Sequence, residues 1–199
     1  ASEAVEAAIA RVAAVDPALG ATTVDDVDRA RRRAAHLPKG TDAPFAGVPS
    51  AIKDNVSVAG MPMTQGSDAL PARPGTADGA FVRQFLSSGV IPVATTTCPP
   101  FGWTATTERP GGRVTRNPWA TGYSSGGSSG GSAALVASGA LPIAHGNDGG
   151  GSIRIPAAAC GLVGLKTSRG RFLGDPTTDQ LPVGIVVNGV LTRTVRDTA

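Results

Sequence analysis

The chain has 199 residues, enough to bury a sizeable core and the usual size of one domain. A hydrophobic content of 41% suits a globular protein, and a net charge of +3 is too small to single out nucleic acid or an acidic surface as partner. Glycine at 27 and proline at 16 are numerous, but the glycines cluster in motifs instead of repeating, which argues against a fibrous or disordered chain.

Ser2 can cap a first helix, in which Val5, Ala8, Ile9 and Val12 recur at helical spacing and which Asp16-Pro17 ends. Thr23 is predicted to cap a second helix through about residue 35, with Val24, Val27 and Ala34 as its apolar face. That helix carries the one local charge excess, Arg29, Arg31, Arg32 and Arg33. A nucleic-acid patch is conceivable there, but a solvated face with Asp25, Asp26 and Asp28 as local partners is the simpler reading. Residues 47–53 read as a buried strand turned by Asp54-Asn55, and residues 61–75 as irregular because of Gly66, Pro71, Pro74 and Gly75. A helix over 77–86 closes at Gly89 and leads into a strand over 90–95. Residues 98–119 form a long loop holding Trp103 and Trp119, and such loops usually serve or cover a site. A helix of small residues over 129–138, a strand over 141–144, a short helix over 153–160 and a strand over 162–166 follow. A last strand over 184–187 precedes a turn at Asn188-Gly189. This alternation predicts an α/β fold whose sheet is covered on both faces.

Cys98 and Cys160 belong to no C-x-x-C pair or His/Cys cluster, so no zinc site is expected. A disulfide stays open, although two reduced thiols suit a cytosolic protein better. No apolar run approaches the ~18 residues of a membrane span, and the opening ASEAVEAAIARV lacks the form of a signal peptide. A cytoplasmic protein is therefore expected. The first residues already read as helix and the last, VLTRTVRDTA, as the start of another, which predicts a segment of a longer protein.

The informative stretch is residues 126–156, GGSSGGSAALVASGALPIAHGNDGGGSIRIP. It holds Ser128 and Ser152 in glycine frames. Gly149, Gly150 and Gly151 can gather backbone N–H groups into a concavity suited to an anion, whether a phosphate or an acyl-transfer oxyanion. Ser152 at its end is a candidate nucleophile, or simply the cap of the following helix. A hydroxyl needs a base to take its proton. The candidates are His36, His145 and Lys53, one of only three lysines in an arginine-rich chain. A lysine beside the apolar run 48–52 can lose its proton on burial, which arginine cannot. Alone, Lys53 would read as a strand-end lysine reaching solvent. GGSSG also fits the G-x-S-x-G nucleophile elbow, but that elbow needs a later acid and then a histidine, and only His145 follows. Neither the phosphate-loop nor the dinucleotide glycine pattern matches. Asp148 and Arg154 bracket the glycines and read as a charge pair holding that loop. Ser129 could support a hydrogen-bond network, and His145 reads as structural.

GVPSAIKDN, GGSSGGSAA and GNDGGGSIRIPAA, in this order and spacing, resemble the amidase signature family over about residues 5–195. The resemblance implies an amidase using a Ser–cis-Ser–Lys triad on a mixed α/β sheet. Ser152 is then the nucleophile, Ser128 the bridging serine after a cis bond from Gly127, and Lys53 the terminal base. The N–H groups of Gly149, Gly150, Gly151 and Ser152 form the oxyanion hole. It implies no metal or cofactor, a small-molecule amide substrate, neither nucleic acid nor membrane as partner, and a homodimer as an assembly open to it. Family members are usually more than twice this length. The expectation is one α/β domain over 1–199, incomplete in itself, with much of the pocket supplied from beyond residue 199. Two further classes stay open. One is an amidotransferase subunit that hands ammonia to a partner acting on glutamate-charged tRNA, and the other a non-catalytic module.

Overall fold

The computed structural model describes residues 1–38, 40–69, 71–174 and 184–199. Its elements are helix α1 (Ser2–Leu19), strand β1 (Thr22–Asp25), α2 (Val27–Ala35), β2 (Pro49–Lys53), α3 (Ala80–Ser87) and β3 (Ile91–Thr96). They continue with α4 (Gly130–Ala137), β4 (Ile143–Asp148), α5 (Arg154–Cys160), β5 (Val163–Gly164), β6 (Val187–Thr192) and α6 (Val195–Thr198). One sheet runs β1-β3-β2, with β1 antiparallel and β2 parallel to β3. The other runs β4-β6-β5 and is antiparallel throughout. The mixed α/β architecture is thus present. Short ladders pair Pro62–Met63 with Arg73–Pro74, Glu108–Arg109 with Arg113–Val114, and Arg116–Asn117 with Ala120–Ser124.

Successive residues of a strand face opposite sides, and β2 shows what this does. Ala51 joins a core made by α1, α2, β3 and α4, whereas Ile52 joins one made with Phe81, Val82 and Phe85 of α3. The sheet is therefore covered on both faces. All five residues of β2 are buried. Side-chain bonds tie β2 to β4: Ser50 Oγ donates to the Ile143 carbonyl at 3.0 Å, and the Lys53 N–H to His145 Nδ1 at 3.2 Å. Helix α4 packs closely against the first sheet because its residues are small. A Cβ on Gly131 would stand 2.5 Å from the Ala21 carbonyl oxygen and the Thr97 hydroxyl.

Several sequence expectations give way to tertiary contacts. Helix α1 runs through Asp16-Pro17 to Leu19, and it is the left-handed Gly20, donating to the Asp16 carbonyl at 2.8 Å, that stops it. Thr23 lies in β1, not at a helix start, because pairing with β3 claims residues 22–25 and leaves Asp26 at the cap position. Helix α3 starts at Ala80, later than residue 77. Strand β4 is longer than 141–144 and carries His145, Asn147 and Asp148. The expected strand at 184–187 and turn at Asn188-Gly189 are replaced by β6, in which both turn residues pair with β4 (Asn188 with Asn147, Gly189 with Gly146). A full antiparallel ladder outweighs the local turn preference of Asn-Gly.

Two residues of the arginine cluster are paired. Arg31 pairs with Glu6 of α1 at 2.6 Å, and Arg29 with Asp26 at 3.2 Å. Cys98 and Cys160 are both buried and free. Among the described residues no helix is long and apolar enough to cross a membrane.

Candidate active site

Lys53 ends β2 with no exposed surface. Its Nζ donates to Ser128 Oγ at 2.8 Å and to Asn147 Oδ1 at 2.7 Å. Burial pulls its pKa down to about 8, against smaller opposing effects of Cys98 and Asp148. The ammonium therefore loses its proton far more readily than an exposed lysine.

Ser128 follows a cis peptide bond from Gly127, just before α4. It is 1% exposed. The next residue, Ser129, donates its N–H to the Ser152 carbonyl at 3.2 Å and its hydroxyl to the Asn147 carbonyl at 3.4 Å. Ser129 thus ties the start of α4 both to β4 and to the glycine loop. Ser132, one turn on, adds a second tie to β4, its hydroxyl donating to the His145 carbonyl at 2.6 Å.

The glycine loop is built on Asp148. Its carboxylate accepts from the N–H groups of Gly151 (2.8 Å), Ile153 (3.1 Å) and Arg154 (3.3 Å). It also takes the Arg154 guanidinium in a two-point pair, both contacts at 2.9 Å. Burial works to raise the Asp148 pKa, but these bonds outweigh it and hold the carboxyl at about 2. Two consequences follow. Asp148 accepts the N–H groups of Ile153 and Arg154 at the start of α5, and among the described hydrogen bonds the Ser152 hydroxyl makes none to that helix. The Gly151 N–H is already committed to Asp148. Among the described residues the N–H groups of Gly149, Gly150 and Ser152 have no protein acceptor.

Ser128 and Ser152 share the wall of a cavity of about 530 Å³, with Asn55, Gly102, Asn147, Gly149 and Gly150. Phe101, Trp103, Ile155 and Val186 supply apolar lining. Of the three residues of the implied triad, Lys53 and Ser128 are bonded to each other. Among the described hydrogen bonds none joins the two serine hydroxyls, which instead face the same space.

His145 is not a base here. Nδ1 accepts from Lys53, and Nε2 pairs with Asn188 Oδ1 at 3.1 Å, which makes Nε2 the protonated nitrogen. Burial lowers its pKa to about 3, so the ring is neutral. The elbow reading of Ser128 loses its histidine. No group of three or more His, Cys, Asp or Glu side chains able to hold a metal occurs among the described residues.

Sequence reading gave no role to Asn147, which lay beyond the strand expected over 141–144 and which the structure places on β4 two residues after His145. It read Asp54 only as part of a turn; the residue is buried against Arg109 at 3.3 Å and accepts the Thr64 N–H at 2.8 Å. This pair fixes the turn after Lys53 to the long loop. Phe101 and Gly102 were lost inside that loop, where nothing in their spacing marks a site.

A buried lysine bonded to a serine thus lies beside a glycine loop that carries a second serine. The family profile described as Amidase matches residues 3–199, and the chain belongs to this amidase family, the amidase signature family. AmiC of Mycobacterium tuberculosis, an amidase by name, is 54% identical over 198 residues, covering 100% of this chain and 42% of that protein. A Synechocystis protein, also an amidase by name, is 48% identical over 78% of this chain and 31% of its own length. Among solved structures, a 6-aminohexanoate cyclic dimer hydrolase superposes with a TM-score of 0.90 at 41% identity, covering 98% of this chain and 40% of its own. A bacterial aryl acylamidase of the amidase signature family gives 0.91 at 36%, covering 100% and 42%. The chain thus spans about 42% of the length of its AmiC relatives.

Proposed function

We propose that this chain carries the catalytic centre of an amidase that cleaves the C–N bond of a small linear carboxamide, in the cytoplasm and without a metal or cofactor. The observation that carries the reading is the fully buried Lys53 amine bonded to Ser128 in the wall of the cavity that Ser152 shares. Neutral Lys53 keeps one N–H on Asn147 and turns its lone pair to Ser128. It takes the Ser128 proton as Ser128 Oγ takes that of Ser152. Ser152 Oγ then attacks the amide carbon. The oxyanion sits on the N–H groups of Gly149, Gly150 and Ser152, where loss of one donor is worth about 3 kcal/mol. On collapse the C–N bond breaks, Ser128 Oγ protonates the leaving nitrogen and Lys53 returns a proton to Ser128. Water enters by the same relay, its oxygen attacking the acyl carbon and its proton passing to Ser128 and Lys53. Release of the acid restores the Ser152 hydroxyl. Asp148, Arg154 and Ser129 touch no reacting atom; they hold the loop, with Gly151 tied back to Asp148.

A second reading has one observation behind it. A glutamyl-tRNA(Gln) amidotransferase chain from Thermotoga maritima superposes with a TM-score of 0.81 at 31% identity, over 100% of this chain and 42% of its own. A protein of that kind would deliver its ammonia to a partner chain, so co-purification of a stoichiometric partner from the native source separates the two.

The test of the mechanism uses a serine-directed phosphonate and an amide panel on the full-length protein. Ser152→Ala is expected to lose both turnover and the covalent adduct. Ser128→Ala is expected to lower kcat/KM by at least ~10³-fold yet still label slowly on Ser152. An adduct mapped to Ser128 by mass spectrometry would reject the assignment.

A further inference from the structure

Asn55 follows Lys53 by two residues in a tight turn, its N–H donating to the Lys53 carbonyl at 2.7 Å. Its side chain stands outside the protein's own bonding. Oδ1 is the one buried side-chain nitrogen or oxygen among the described residues with no hydrogen-bond partner. A buried polar atom left unpaired is unfavourable, and native proteins retain few of them. This one belongs to a residue of the cavity wall beside the relay. A Cβ placed on Gly102 would stand 3.2 Å from Ser128 Oγ and 3.9 Å from Asn55 Nδ2, so the carboxamide and the relay hydroxyl flank the same point. The last torsion of an asparagine is broad, and a half-turn about it exchanges the nitrogen for the oxygen at that point.

The proposed amide hydrolysis, on which this inference rests, sets where a substrate nitrogen must lie. With the carbonyl oxygen on the glycine-loop N–H groups and the carbon at Ser152, the nitrogen points to Ser128, which protonates it. Protonation requires the nitrogen lone pair to face Ser128, which turns any remaining N–H aside. That N–H needs an acceptor. Lys53 and Asn147 are bonded to each other, and the carboxamide beside Ser128 is that of Asn55, whose Nδ2 stands at that point and whose Oδ1 reaches it by the half-turn. We propose that Asn55 Oδ1 accepts the N–H of the scissile amide, orienting the nitrogen towards Ser128 and selecting primary and secondary amides over tertiary amides.

The test compares three substrates sharing one acyl group on the full-length enzyme: a secondary amide, its N-methyl tertiary analogue and the matching ester. Asn55→Ala is expected to lower kcat/KM for the secondary amide on the order of tenfold more than for the ester or the tertiary amide. Asn55→Asp, of the same shape and with only acceptor oxygens, is expected to keep the wild-type ratio of secondary to tertiary amide within about threefold, whatever its absolute rate. Equal losses on all three substrates in Asn55→Ala, or a collapsed ratio in Asn55→Asp, would overturn the role of Asn55 while leaving amide hydrolysis standing. Wild-type protein that cleaves none of the three and takes no phosphonate on Ser152 would overturn the amidase reading, and this inference with it.

Discussion

Lys53 is the residue whose surroundings matter most. With no exposed surface and a pKa pulled to about 8 by burial, its neutral form grows as pH rises through that value. The proposed relay needs that form, so kcat/KM is expected to rise with pH and level off above about 8. Lys53→Arg is expected to stay inactive at every pH, because guanidinium remains charged. Stability carries the same signature. The folded pKa lies below the unfolded one, so the unfolded chain binds more protons between about 8 and the ordinary value of 10.5. Lys53 therefore opposes folding most below that window, and its penalty fades as pH rises across it. Denaturant titration of wild type against Lys53→Met at pH 7 and pH 10 checks this: the variant's advantage should shrink at the higher pH. The difference between the two proteins is the quantity to read, because the buried thiols, pushed up to about 11, shift stability in the opposite sense.

At the scale of elements, the loop between β4 and α5 depends on one carboxylate. Asp148 is buried and holds the N–H groups of Gly151, Ile153 and Arg154 together with the Arg154 side chain. Asp148→Ala leaves those donors without their acceptor, with an expected loss of about 2–4 kcal/mol in unfolding free energy. It also loosens the N–H groups of the proposed oxyanion site, so kcat is expected to fall by roughly 10²-fold with the phosphonate adduct still on Ser152. Because the folded pKa is depressed, the stabilisation by Asp148 is present above about 3.8 and is lost as pH falls through about 2. Gly102 in the long loop makes a second element-scale case. At φ +70° with Ser128 Oγ 3.2 Å from an added Cβ, Gly102→Ala is expected to hinder the relay through both backbone and contact.

For the whole molecule, the two thiols report on cooperativity. Cys98 follows β3 and Cys160 ends α5; both are fully buried, and burial pushes both up to about 11. A thiolate is the reactive form. Maleimide at pH 7 is therefore expected to leave the folded protein unlabelled and to modify both cysteines at the rate of global unfolding. Fast labelling of Cys160 alone would show that α5 opens separately from the sheet that Cys98 adjoins.

Much of this molecule was legible in its residues. The buried strand before Lys53, the small-residue helix after Ser128 and the glycine frame around Ser152 all follow from local composition, because burial, close approach and a tight turn each demand particular residue types. Their order and spacing carried the family. What local composition could not decide were the contacts between distant segments. Pro17 could not announce that Gly20 would end α1, and Asn188-Gly189 looked like a turn until six residues of β4 paired across it. Asn147 carried no signal of its own and Asn55 only that of a turn residue, since an amide side chain takes its role from what stands about 3 Å away. The Gly151 N–H resembled its neighbours in sequence and differs only because Asp148 folds back onto it. Residue type determines what a group can do, and tertiary packing alone determines which partner it meets.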